Sequence, residues 1–461
     1  MRRAKLIQVL ATLLALSMLA AACAPGGGAN DTADSTPDGS DDDPPADDAD
    51  ADAGEDEDNV EGDSEAAETS SLRMTVWTGN DAHLDLFNEI ADSFIADHPT
   101  VEEVNFEVLP FDNYIEALTV QLAGGNPPDL GWIFERNAPE FIDAGVLTDL
   151  EPALAEAEDY GYVDLTESAT ELWREDDGLY AYPFSTSPFS MFYNADMFEE
   201  AGLENPTELY EAGEWTWEAV RESGAQIVAE GAAPHGFIVR DFDFQLWDNL
   251  ATLWRGFGAE EWSEDGTQCG MAAPEMVDAF TFFHEAVFED EAHPGPGQSA
   301  DFFVGDSAMT VTQISRAADL EDEQFNWGVV PLPEGPAGDH QVVGQGAIGV
   351  FNASPNTEAA AEFLAHMTNE ENSRLLAEFF PPPRESLLTA EVLGETNPLL
   401  SEEQLERVVV DGIATGTSIP THVNFSVLQD TIRAELDAMW TADADVEAVL
   451  QQVCDVAEPL M

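Results

Sequence analysis

The sequence reads as an α/β protein with a mainly parallel sheet, divided between two domains. Two observations predict this. Strand-like and helix-like patterns alternate along the chain, and they extend over residues 71–461, more than one hydrophobic core usually serves. Leu72-Arg73-Met74-Thr75-Val76-Trp77 reads as a buried strand ending before Gly79. A helix follows it. Leu84, Phe87, Ala91, Phe94 and Ile95 recur at three- and four-residue spacing on one face, and the helix stops at His98-Pro99. Val104-Asn105-Phe106-Glu107-Val108 alternates apolar and polar and reads as a second strand. Residues 114–123 read as a helix closed by Gly124-Gly125, and Leu130-Gly131-Trp132-Ile133-Phe134 as a third strand. In sheets of this kind ligands bind outside the carboxyl ends of strands, which directs attention to residues 77–80 and 134–137.

Composition narrows the function. The chain holds 94 acidic residues, of which 18 fall in residues 24–70, a segment with no basic and no aromatic residue. Such a segment cannot offset the entropy of ordering and reads as a disordered, self-repelling tether. Residues 71–461 keep 76 acidic residues against 11 Arg and no Lys, a formal charge of −65. That surface excludes nucleic acid and opposes docking on anionic lipid. It reads as adaptation to high salt, where a Debye length of about 3 Å at 1 M makes self-repulsion tolerable. No CxxC, HExxH, GxSxG, P-loop or dinucleotide motif stands out, so no metal or cofactor is expected.

The first residues, Met1-Arg2-Arg3-Ala4-Lys5, are basic, and residues 6–20 are apolar but too few for a membrane span, which needs roughly 20. They read as an export signal over residues 1–22. Cys23 directly follows Ala20-Ala21-Ala22, which resembles a bacterial lipobox, with Leu19 four rather than three positions before the Cys. The resemblance implies that Cys23 is lipidated and that the protein sits on the outer face of the cell membrane, held by lipid alone. Cys269 and Cys454 then remain as a candidate disulfide in a compartment that permits one.

A run of short motifs carries a wider resemblance. Thr75-Val76-Trp77-Thr78-Gly79 is followed by Gly124-Gly125-Asn126-Pro127-Pro128-Asp129-Leu130 and by Phe141-Ile142-Asp143-Ala144-Gly145-Val146-Leu147. Leu179-Tyr180-Ala181-Tyr182-Pro183, Met191-Phe192-Tyr193-Asn194-Ala195-Asp196-Met197-Phe198 and Glu214-Trp215-Thr216-Trp217-Glu218 come next. Phe303-Val304-Gly305-Asp306-Ser307-Ala308-Met309 and Gly328-Val329-Val330-Pro331-Leu332-Pro333 complete the series. Taken in order, these strings resemble the extracellular solute-binding proteins that include maltose-binding protein. Where that family often has Lys, this chain has Ala195 or Asp306, in keeping with its charge.

The resemblance implies a periplasmic-binding-protein-like fold, two α/β lobes with hinge crossovers and a ligand cleft between them. Lobe one would be residues 71–185 plus 344–385, and lobe two residues 186–343 plus 386–461, with crossovers at Tyr182-Pro183 and Gln341-Val342-Val343-Gly344. Hinge closure would convert binding into a shape read by ABC permease subunits. The expected protein is a monomer and not an enzyme, and its solute a mono- or oligosaccharide. A polyamine, peptide or other small solute is the alternative, and a secreted carbohydrate-active enzyme the distant one. The expected ligand contacts are Trp77, Asn80, Glu135 and Arg136 at strand ends, Trp254 on a helix shared with Trp247, and Gln313 after a strand. Gln345 between two glycines, Arg384 after three prolines, and Asn424 with Phe425 before a helix complete the set. Aromatic faces suit the C–H faces of a sugar and planar amides suit its hydroxyls.

Overall fold

The computed structural model describes residues 69–158, 160–320 and 325–461. Cys23, the leader and nearly all of the acidic stretch lie outside the described residues. The described chain belongs to one compact unit, Glu68–Met461.

The three strands expected near the start form. β1 (Ser70–Val76) lies parallel to β2 (Val101–Val108) on one side and to β3 (Leu130–Phe134) on the other. Helix α1 (Asp81–Asp97) connects the first two, and α2 (Tyr114–Ala123) precedes the third. α2 ends as its glycines require: Gly124 is the C-cap, and Gly125 takes φ +77°, a conformation that disfavours side chains. Phe87 and Phe94 of α1 pack on Met74, Val76 and Trp132 in a first core that also takes Ile348 and Phe363.

The rest of the architecture turns on one strand. β4 (Tyr182–Asn194) is 13 residues long, buried throughout, and extends about 40 Å at the usual rise. β5 (His235–Val239), β6 (Ser307–Gln313), β7 (Trp327–Val330), β8 (Val342–Val350) and β9 (Thr417–Ser418) follow it in the chain. The first part of β4, Tyr182 to Pro188, pairs antiparallel with β8, which in turn pairs antiparallel with β3. From Phe189 onward β4 pairs instead with β6 and β7. β6 then carries the parallel β5 at the far edge, and β9 pairs with the start of β8.

The change of partner therefore falls at Pro188–Phe189, later than the expected Tyr182-Pro183. Pro183 does not end the pairing. The ladder slips between Gly346 and Ile348, opposite this stretch, and a bulge accommodates a residue that cannot donate to it.

A second core lies beyond the change of partner. It gathers Met191, Trp217, Trp254, Phe280 and Met309 with Ile432 and Leu450. Helices α3 (Trp217–Glu230), α4 (Pro274–Phe288), α6 (Phe425–Leu436) and α7 (Val446–Ala457) supply much of it, whereas α5 (Thr357–Met367) belongs to the first core. A smaller cluster on Phe192, Ile238, Phe302 and Val408 covers the other side of the second set of strands. Cys269 and Cys454 are joined with a Cα–Cα distance of 5.4 Å, which ties the turn before α4 to the last helix.

Candidate functional site

A cleft of about 440 Å³ opens between the strands of the first core and those of the second. That volume lies in the range typical of small-molecule sites. Its floor is formed by β8 at Gly344–Gln345–Gly346 and by β4 at Ser185 and Ser187. The floor is bare for a steric reason. A Cβ on Gly346 would stand 3.2 Å from the Trp77 ring, and one on Gly344 would stand 3.2 Å from the Gln313 side chain. Only glycine leaves this backbone open to a ligand.

The first-core wall is aromatic. Trp77, one residue past β1, stacks on Phe134 at 4.2 Å and 19°. Trp132 and Tyr114 meet it edge-on at 4.6 and 5.3 Å. This packing fixes an indole that still lines the cleft, and Phe111 extends the surface toward its mouth. Asn80 also lines the cleft, but its Oδ1 accepts the Ala82 N–H at 2.9 Å and so caps α1. His83, on the first turn of α1, bonds Thr78 Oγ1 through Nδ1 at 2.9 Å. Burial, and then the nearby Arg316 charge, lower its pKa to about 4, so the ring is neutral at pH 7.

Glu135 and Arg136 follow β3, as the carboxyl-end rule requires. Glu135 is 4% exposed, and burial pushes its carboxyl up to about 7 against the opposing pull of Arg136. Arg136 reaches across to the second core. Its Nη1 stands 2.8 Å from Asp248 Oδ2, and its guanidinium lies over the Phe134 ring at 5.4 Å. It is thus already paired.

The second-core wall is charged. Gln313 ends β6 and lines the cleft beside Arg240, Asp241, Arg316 and Asp319. Gln345 lines the floor through its backbone only. Its Oε1 accepts from Trp173 Nε1 at 3.1 Å, and its Nε2 donates to Ala169 O at 3.0 Å and Thr186 Oγ1 at 3.2 Å.

Four expected contacts lie elsewhere. Trp254 is 1% exposed and stacks between Trp247 and Phe280, each at 6.1 Å, inside the second core. The seven-residue spacing from Trp247 put both indoles on one face, and that face turns inward. Arg384 is fully buried: Nη2 donates to Thr368 O at 2.7 Å, and the guanidinium covers Tyr160 at 4.7 Å. It braces the segment after Pro381-Pro382-Pro383 rather than a ligand. Asn424 donates to Leu460 O at 2.9 Å, and Phe425 is buried against Trp247. Both therefore join helices to each other, away from the cleft.

Conversely, His83, Phe111, Arg240 and Arg316 were not anticipated. Arg240 directly follows β5, so the rule that found Glu135 also reaches it, provided that His235–Val239 is first read as a strand.

With this geometry in place, similarity to known proteins becomes informative. The pattern of the family described as bacterial extracellular solute-binding protein matches residues 81–374. An arabinooligosaccharide-binding protein of Halalkalibacterium halodurans is 24% identical over 419 residues, covering 83% of this chain and 90% of that one. The sn-glycerol-3-phosphate-binding periplasmic protein UgpB of Agrobacterium fabrum is 22% identical over 401 residues, 80% of this chain and 88% of the relative. Among solved structures, an ABC substrate-binding protein of Listeria monocytogenes in complex with cycloalternan superposes with a TM-score of 0.73. It is 22% identical, and the match covers 84% of this chain and 97% of that one.

Proposed function

This chain belongs to the family of bacterial extracellular solute-binding proteins, and from that premise we propose that its cleft captures a mono- or oligosaccharide by lobe closure. Such a protein is the solute-binding component of an ABC importer and not an enzyme. The observation that carries the sugar reading is the pinned Trp77 indole facing a glycine-floored cleft. A rigid aromatic surface binds the C–H face of a pyranose with little loss of side-chain entropy. Gln313 and the serines of the floor are placed to exchange hydrogen bonds with hydroxyls. The named ligands of the relatives, an arabinooligosaccharide, a glycerol phosphate and cycloalternan, are all polyhydroxylated.

The moving parts follow from the two cores. Residues 71–185 plus 344–385 act as lobe one, and residues 186–343 plus 386–461 as lobe two. β4 and β8 are shared between them and serve as the hinge, and the closed form is what the permease reads. Cys23 carries the lipid anchor, and the acidic surface serves a saline medium.

Two experiments test this reading. A thermal-shift screen of sugars, peptides and polyamines should show protection by a sugar, about 2.7 kcal/mol at one hundred times its Kd. Protection only by a peptide or polyamine would remove the carbohydrate claim. Cys23→Ser should move the protein from the membrane fraction to the medium. If it stays with the membrane, the anchor is assigned wrongly.

A further inference from the structure

We propose that the Arg240–Arg316 pair on the second-core wall of the cleft binds an acidic group of the solute, so that the captured carbohydrate is a sugar acid or a sugar phosphate. This rests on the carbohydrate reading above and adds the charge of the ligand to it.

Cations are scarce in this chain. Residues 71–461 contain 11 Arg and no Lys in a body of charge −65. Three of those arginines, Arg136, Arg240 and Arg316, line this one cleft. Arg136 is paired with Asp248, but the other two are held beside each other. Both guanidiniums sit over the ring of Phe303, Arg240 at 4.7 Å and Arg316 at 5.8 Å. Like charges this close repel, and partial burial together with the Arg240 charge lowers the pKa of Arg316, whose 40% exposed side chain is itself partly screened by solvent.

Among the described residues neutralisation is incomplete. The carboxylates nearest Arg240, those of Asp241 and Asp301, stand at 3.6 and 3.7 Å, beyond hydrogen-bond distance. Their side chains are 41% and 50% exposed, so solvent screens them. Among the described residues Arg316 has one close carboxylate, Asp319 at 2.8 Å. The Nε atoms of both arginines, like that of Arg136, are buried and, among the described residues, have no hydrogen-bond partner. A carboxylate or phosphate in the cleft would supply the missing counter-charge to the two guanidiniums, whose forks match both groups. The aromatic wall then takes the sugar ring, and the two walls read the two halves of one ligand.

The test is a matched set: glucose, glucuronate and glucose 6-phosphate, titrated calorimetrically into the purified protein. At least one acid is expected to bind ten times more tightly than glucose or better, and which one distinguishes a carboxylate site from a phosphate site. Arg240→Gln and Arg316→Gln are each expected to cut that preference at least tenfold, while Arg433→Gln, an equal loss of charge at an exposed position of α6, leaves it unchanged. Equal or tighter binding of glucose overturns the proposal and leaves the carbohydrate reading standing. A preference that survives both cleft substitutions overturns it too. Binding of none of the three overturns the proposal, while the carbohydrate reading is decided by the thermal-shift screen of sugars, peptides and polyamines. Should a variant fail to fold by circular dichroism, the wild-type ratio of acid to neutral sugar decides alone.

Discussion

The two walls of the cleft are built on different physics. The first-core wall is a packed aromatic cluster in which Trp77 is held by Phe134, Trp132 and Tyr114. The second-core wall is a set of charges in which Arg240 and Arg316 outnumber their close partners among the described residues. The contrast extends to the surface. Among the described residues, charged groups lining the cleft are three acidic (Glu135, Asp241 and Asp319) and three basic, in a body where acids exceed arginines 76 to 11. The cleft is where cations match acids in number, and an aromatic wall facing them is suited to a ligand with an apolar face and a polar end.

The comparison can be sharpened by separating aromatics that make the wall from aromatics that make the core. Trp254→Ala should cost about 3–5 kcal/mol of stability, as large-to-small core substitutions do, and leave the ligand affinity of the folded fraction intact. Chemical denaturation followed by titration checks it. An affinity loss without a stability loss would return Trp254 to the site.

Trp77→Ala should do the reverse. Binding should weaken at least tenfold, about 1.4 kcal/mol or more, and stability should fall by less than in Trp254→Ala. Titration of the variant with the ligand found by thermal shift is the measurement. Undiminished affinity would break the aromatic-wall reading.

Glu135 probes the seam between the walls. Its folded pKa of about 7 lies above the ordinary carboxylate value, so the folded state binds the extra proton. The penalty is absent below the unfolded pKa near 4.3, grows as pH rises through the interval, and is full above 7. Glu135→Gln should therefore be more stable than the parent at pH 8, by about 1–3 kcal/mol, and level with it at pH 4. Denaturant midpoints at the two pH values report this. A constant difference would mean that the carboxyl is not held protonated by burial.

The smallest expected effect concerns the surface against which the cleft is defined. If the −65 charge opposes the compact state, the melting temperature should rise by some degrees between about 0.1 and 1 M NaCl. A flat or falling curve would leave the acidic composition without a stability role.

Much of the fold was legible in the chain itself. Periodicity located β1, α1, β2, α2 and β3, because each buries a face whose spacing is written locally. The same elements carried Trp77, Glu135 and Arg136 to the cleft, since a residue at the carboxyl end of a parallel strand has little choice of direction. Gln345 shows the limit of local reading. Its flanking glycines suggest a loop that a ligand can approach, but they lie inside β8, and its amide is taken by Trp173, Ala169 and Thr186, residues more than 150 positions away.

What only the tertiary structure decided is which polar and aromatic side chains were left over. Trp254 and Arg384 have the chemistry of ligand contacts, and packing assigned them to the second core and to Thr368. Arg240 and Arg316 stand 76 positions apart, and nothing in their neighbourhoods pairs them. They meet because β5 and β6 run parallel and adjacent, so the residues just past both strands emerge at the same edge. Sequence dictates elements through contacts a few residues long. A binding site is made of what those elements leave unsatisfied after assembly, and that remainder is a property of the whole.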